Sequence, residues 1–277
     1  MWPILRVITR GFDFLLAPFG GMHPGVGLLV VSVITGVVML FIFGKTSNQK
    51  MIAAAKNKLW AYIMEMWLFR NDPRVMFSAI GSVARSNLTY LRHSLRPIVF
   101  LIVPVLIIMV QLGIRYAHTP LSAGEETIVS VQFADGVRPS EVDIELVAPE
   151  GARVVSAPLR IDATGESEWR IAVDDGCGTD EILFHTPDGD VTKRIAGCGK
   201  DRIVTVGAIK ARANTWNAFL YPAEPPLPRD SIIETISIKY PARDDLLFGL
   251  NVHWLIIFFI VSVVAGFGLK GVFGIEV

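Results

Sequence analysis

The chain has 277 residues, 52% of them hydrophobic and 19% charged, with 26 basic and 26 acidic side chains. A soluble domain carries about 25% charged and 45–50% apolar residues, and here the apolar excess sits in three uninterrupted runs, 26–44, 98–114 and 252–269. That excludes a simple soluble enzyme, and three runs near the roughly 20 residues needed to cross a bilayer exclude a many-span transporter.

Residues 1–20 read as a helix with Leu5, Ile8, Phe12, Leu15 and Phe19 on one side and Arg6, Arg10 and Asp13 on another. This is the pattern of an amphipathic helix lying in the membrane interface. The two arginines interrupt what a signal peptide would keep apolar, and no small-residue cleavage site follows. Gly20, Gly21, Pro24 and Gly25 turn the chain into a first transmembrane helix at 26–44, in which Gly27 and Gly36 permit close helix contact.

Residues 45–96 read as a basic helical hairpin. Leu59, Tyr62, Ile63, Met66 and Trp67 recur at helical spacing, as do Met76, Ile80, Val83, Asn87 and Tyr90 after Asn71-Asp72-Pro73. Pro73 suits the first turn of the second arm. The first arm carries Lys50, Lys56, Lys58, Trp60, Met64 and Trp67, more apolar surface than one hairpin seam requires. A second transmembrane helix is expected at 97–114, opening on Pro97 and containing Pro104 and Gln111. A third is expected at 252–271, with Trp254 as an interface anchor.

Charge sets the expected topology. Residues 45–97 hold nine Lys or Arg and two acids, whereas 115–251 hold 14 basic and 22 acidic residues. Loops that stay in the cytoplasm collect Lys and Arg. The hairpin is therefore expected inside, the N-terminus outside, residues 120–245 outside and the C-terminus inside. In a bacterium this is a multi-pass inner-membrane protein with a periplasmic domain. The charged hairpin has two readings: a topology determinant drawn to anionic lipid, or a contact for the ribosome or an emerging chain.

Residues 120–245 change character. Short β-rich runs are expected at 127–133, 141–147, 153–156, 167–173, 181–185, 203–209 and 232–240, separated by turn signals such as Pro187-Asp188-Gly189. About seven such strands fit an all-β, Ig-like sandwich. Cys177 and Cys198 fall in this domain. In an oxidising compartment they are expected to pair in a disulfide, the alternative being two free buried thiols.

No catalytic constellation, metal-ligand spacing or phosphate loop is present, so no enzyme activity and no cofactor are expected. Asp188-Gly189-Asp190 reads as a hairpin turn rather than a calcium loop. Ser32, Thr35, Gln111 and Ser262 are polar residues in apolar helices. They are candidates for lining a hydrophilic intramembrane groove. The competing reading is hydrogen bonding between or within helices, with Gln111 near the headgroups.

The element order, together with Leu16-Ala17-Pro18-Phe19, Pro24-Gly25-Val26-Gly27 and Gly44-Lys45-Thr46-Ser47-Asn48-Gln49-Lys50-Met51, resembles the YidC/Oxa/Alb insertase superfamily. It is most similar to the reduced three-span branch of archaeal YidC-like proteins and the insertase subunit of the endoplasmic reticulum membrane complex. The resemblance covers residues 1–115 and 250–275. It implies insertion of hydrophobic segments of nascent membrane proteins into the bilayer, without ATP, through a polar groove. Two departures stand against it. Bacterial members place an arginine four residues after a threonine in the first span, where this chain has Met39 after Thr35. The β-domain also sits between the last two spans, where the reduced branch has a short loop. The rival reading is a non-catalytic accessory subunit of an inner-membrane complex, with the β-domain binding an extracytoplasmic protein.

Overall fold

The computed structural model describes residues 2–47, 49–68, 73–174, 178–197, 203–243, 246–247 and 251–275. Cys177 and Cys198 lie outside the described residues. The chain divides into two units, Met1–Leu28 with Met109–Ile256 and Leu29–Ile108 with Ile257–Val277.

Helix α1 spans Trp2–Leu16 and tightens into a 3-10 turn at Ala17–Phe19. Helix α2 follows at Pro24–Thr46, with Pro24 in its first turn, where a missing N–H is no loss. Helix α3 is Gln49–Leu68, and α4 runs from Pro73 to Tyr116. The turn at 69–72 lies outside the described residues. A short α5 (Thr215–Leu220) and an apolar α6 (Trp254–Leu269) complete the helices. Among the described residues, two stretches are long and apolar enough to cross a bilayer, α2 with 23 residues and Pro97–Tyr116 of α4 with 20, whereas α6 has 16.

One boundary differs from expectation. The second hairpin arm and the second apolar run, expected as separate elements meeting at Arg96-Pro97, form one helix of 44 residues containing Pro97 and Pro104. A proline removes one backbone donor and crowds the carbonyl four residues earlier. Each proline here stays within the helix, and Pro97 is itself buried.

Among the described residues, the β region of the first unit holds nine strands in two sheets, every pairing between them antiparallel. They are β1 (Glu126–Phe133), β2 (Glu145–Val147), β3 (Ala152–Val154), β4 (Leu159–Ile161), β5 (Glu166–Val173), β6 (Gly178–Thr186), β7 (Gly189–Gly197), β8 (Ile209–Ala211) and β9 (Ile233–Ile238). The larger sheet runs β3-β5-β1-β9-β8, with β4 also on β5, and the smaller runs β2-β6-β7. Strand β1 is central, and its residues alternate between open and buried from Glu126 to Phe133. That is the period-2 pattern that points every second side chain at the core. Val129, Val131 and Phe133 from β1 meet Trp169 and Ile171 from β5, Ile236 and Ile238 from β9, and Ile182, Phe184 and Ile195 from the smaller sheet. Trp169 stands edge-on to Phe184 at 6.0 Å and 74°, so one aromatic pair joins the two sheets.

Several strands differ from expectation. The run at 141–147 is a strand only over Glu145–Val147, preceded by a 3-10 turn at Pro139–Glu141. The run at 203–209 contributes only its last residue, to β8. Strands β4 and β7 and helix α5 were not expected. Strand β7 hides its period because its inward row is Val191, Lys193 and Ile195.

Lys193 is fully buried and salt-bridged to the buried Glu224. Its ammonium also donates to the carbonyls of Gly207 at 2.6 Å and Arg194 at 3.1 Å. The second Glu224 oxygen accepts the Arg194 N–H at 3.0 Å. The pair therefore ties the loop-rich stretch around Gly207 and Glu224 to the smaller sheet. Burial pulls the Lys193 ammonium below its ordinary range, while Glu224 opposes that shift. We predict that Glu224→Gln, which leaves a buried lysine without its counter-charge, destabilises the domain by about 3–5 kcal/mol. The double variant Lys193→Met with Glu224→Leu should sit much closer to wild type in the same denaturation measurement.

Candidate functional site

Within the second unit, α2, α4 and α6 enclose a cavity of about 310 Å³. Its walls are Thr35, Gly36, Met39, Leu40 and Phe43 from α2, Leu101 and Val105 from α4, and residues of α6 from Phe258 to Phe267. Thr35 and Met39 lie one helical turn apart and so share a face. The position that departs from the bacterial insertases therefore faces this cavity too. Thr35 and Ser262 supply its hydroxyls, and the rest of the lining is apolar or glycine. The Ser262 hydroxyl donates back to the Phe259 carbonyl at 3.0 Å, so it is partly spent on its own helix.

Gly36 sets the spacing of this cavity. A Cβ there would strike the main-chain carbonyl oxygen of Ser262, and backbone cannot swing aside as a side chain can. Gly27 plays the same part in the first unit, where the obstacle would be the Tyr116 hydroxyl. Ser32 is also fully buried on α2.

The sequence offered four polar residues either as groove lining or as hydrogen-bonding groups between or within helices, and the structure divides them. Thr35 and Ser262 line the cavity. Ser32 is buried but is not among its walls. Gln111 belongs to the first unit and is committed to a different task. It carries on its oxygen the Arg115 guanidinium at 2.9 Å and donates from its amide to the Thr9 hydroxyl at 3.1 Å. Gln111 therefore does not meet water; it is 1% exposed.

Arg115 is the residue that sequence reasoning missed. Its side chain is 1% exposed. One terminal nitrogen donates to the Gln111 carbonyl at 2.8 Å as well as to the Gln111 side chain. The other donates to the Thr9 carbonyl at 3.0 Å and to Asp13 at 2.5 Å. The guanidinium also lies 5.7 Å from the Phe12 ring centroid, within range of a cation–π contact. Asp13, expected on the polar outer face of α1 beside Arg6 and Arg10, is instead turned toward α4. A cation in the last turn of α4 also suits the negative end of that helix dipole. The only sequence signal was a lone arginine at the end of an apolar run. Its partners lie 102 and 106 residues away.

On α3, Trp60, Met64 and Trp67 are exposed, as is Leu68. Their spacing of four and then three residues aligns them on one helix face. Lys58 is exposed on the same helix, and Lys50 and Lys56 also lie on α3. The side chains of the latter two fall outside the described residues.

Comparison with protein-family models, curated proteins and solved structures returns no match. The insertase resemblance therefore rests on the element order and the residues quoted for it.

Two predictions follow from this packing. Gly36→Ala should lower the thermal midpoint of the detergent-solubilised chain, whereas Gly266→Ala, whose new Cβ would sit 3.5 Å from the Gly36 carbonyl oxygen, should be tolerated. In a double-mutant cycle, Asp13→Asn and Arg115→Met should show a coupling of about 0.5–3 kcal/mol. Additive losses would mean that the ion pair does not hold α1 in place.

Proposed function

We propose that this chain is an insertase-like or chaperone-like protein of a bacterial inner membrane, moving hydrophobic segments into the bilayer without ATP. In this reading α2, Pro97–Tyr116 of α4 and α6 cross the bilayer. The N-terminus and the β-domain, read as an Ig-like sandwich variant, face outward, and α3 with the first part of α4 faces the cytoplasm.

The single observation that carries the reading is the cavity among α2, α4 and α6, apolar in its walls and furnished with hydroxyls from Thr35 and Ser262. A transmembrane segment in transit needs apolar walls along its length and a few polar groups for its main chain. Around the cavity, the helices expose Val38 and Phe41 on α2, Val99 and Val103 on α4, and Phe259 and Val264 on α6. Apolar side chains on every outer face suit contact with lipid tails. The Trp60, Met64 and Trp67 stripe suits a place where an apolar segment rests before entry, since methionine adapts to many shapes. The excess of Lys and Arg around it suits an anionic neighbour, whether lipid headgroups or ribosomal RNA.

At about 1.5 Å per residue, the 16 residues of α6 span on the order of 24 Å, short of the roughly 30 Å hydrocarbon core. A short helix thins the bilayer beside it. Thinning next to the cavity lowers the distance over which a client's polar tail must travel through hydrocarbon.

A second reading, an accessory subunit whose β-domain binds an extracytoplasmic protein, draws on a different observation. The edge strand β2 borders an open groove of about 540 Å³ lined by Asp143, Glu145, Val154, Val155 and Trp169. A free strand edge beside an open groove is a place where an extended peptide can add.

Photo-crosslinking in living cells separates the two. With the probe at Thr35, the insertase reading expects several short-lived adducts to newly made membrane proteins, all lost when Met39→Trp fills the cavity while the chain still assembles. A single stoichiometric adduct from a probe at Val155, with no nascent-chain products at Thr35, would overturn it in favour of the subunit.

A further inference from the structure

Helix α1 has three faces rather than two. Leu5 and Leu16 are buried, and Phe12, Thr9 and Asp13 lie beside them toward α4. A second face is apolar and open: Ile4, Val7, Phe14 and Leu15 are exposed, Phe14 at 85%. The third is the exposed pair Arg6 and Arg10, which with Phe14 follow one i, i+4, i+8 line. The basic strip thus borders the open apolar face.

Helix α5, from the β-domain of the same unit, packs against α1. It is a built element. Asn214 caps its start by accepting the Asn217 N–H at 2.6 Å, and the Asn217 amide donates to the Arg212 carbonyl at 3.0 Å. Yet its largest side chains point outward: Trp216 is 73% exposed and Leu220 is exposed as well. A capped helix thus leaves a tryptophan open while packed against a second helix that leaves four apolar side chains open beside two cations.

We infer that α1 and α5 together form a membrane-docking surface, so that the β-domain rests on anionic lipid through Trp216 and Leu220. The occupant is the bilayer interface itself. Tryptophan is favoured where one side is apolar and the other wet. Exposed arginines flanking an apolar helix face complement anionic headgroups. Helix α1 is also separated from the start of α2 by only seven residues, 17–23, so on the spanning reading it cannot stand far from the bilayer. The inference rests on that spanning reading and adds to it a contact made by the β-domain.

The test uses the full chain in vesicles of equimolar phosphatidylcholine and phosphatidylglycerol, with lipid brominated near the top of its acyl chains to quench nearby tryptophan. Wild type should lose more emission than Trp216→Phe, and Leu220→Trp should add emission that is quenched. Arg6→Gln with Arg10→Gln should shrink both differences. Phe259→Trp on the exposed side of α6 reports the spanning reading separately. If Phe259→Trp adds quenched emission while Trp216→Phe equals wild type and Leu220→Trp adds only unquenched emission, the docking surface is wrong and the spanning reading stands. If Phe259→Trp adds no quenched emission, the spanning reading fails and the docking inference fails with it.

Discussion

The seating of α1 depends on a buried cation of the first unit. Arg115 has almost no access to water, and removing a guanidinium from water is expensive unless every remaining partner is well placed. Three of its four acceptor contacts are carbonyl or amide oxygens and the fourth is the Asp13 carboxylate. Two of them come from α1, so the two terminal nitrogens of the arginine are paired as they are only when α1 is seated at one height and one rotation; its buried Nε has no hydrogen-bond partner. That rotation is what brings Asp13, itself 42% exposed, and the Thr9 carbonyl up to the arginine. It follows that Ile4, Val7 and Phe14 face out, with Arg6 and Arg10 at their edge. The open apolar face of α1 is thus a consequence of an ion pair on its opposite side, and an amphipathic pattern alone would have put Leu15 and Phe19 with the core.

The β-domain uses the same device in a different place. Its main core is assembled by period-2 burial along β1, β5 and β9. The smaller sheet instead carries Lys193 in its inward row and answers it with Glu224 from a distant loop. A buried pair of this kind adds little net stability compared with apolar residues of the same size. What it does here is fix where the long stretch between β7 and β9 lies, because the same two side chains also bind the backbone of Gly207 and Arg194. That stretch carries α5, so the position of Trp216 depends on this pair as well as on the contact between α5 and α1.

These two pairs also mark the limit of what could be read from the sequence. The apolar runs were legible because composition alone separates them from their surroundings. The longest strands of the larger sheet were legible because alternation is unbroken in β1 and holds over most of β5 and β9. The two glycines at close helix contacts, Gly27 and Gly36, were legible as well. Strand β7 was not, because a lysine occupies a core position and erases the alternation. Helix α5 was not, because six residues hold too little periodicity to register, although Asn214 before Thr215-Trp216-Asn217 is a fair capping signal. The unbroken α4 was not, because the residue before a proline is biased away from helix, whereas here the helix runs on through a buried Pro97. Gln111 was recognised as a polar residue in an apolar helix, but its partners sit on α1 and one turn along its own helix. No local pattern reveals a contact between residues 102 apart.

The division of the polar residues bears on mechanism. Had Thr35, Ser262, Gln111 and a charged residue shared one cavity, the site would have suited the passage of charged tails, for which a bilayer centre costs at least about 2.5–3.5 kcal/mol per residue on the insertion scale. The cation is instead buried in the first unit and neutralised by Asp13, which leaves its field largely spent. The cavity of the second unit keeps two hydroxyls and Met39. On the proposed reading its contribution is to shelter an apolar helix from water and to offer its backbone an occasional hydrogen bond, and the passage of polar tails falls to the thinned bilayer beside the short α6. An insertase built this way discriminates by the polarity of the tail that must cross, because nothing in the cavity offsets a buried charge.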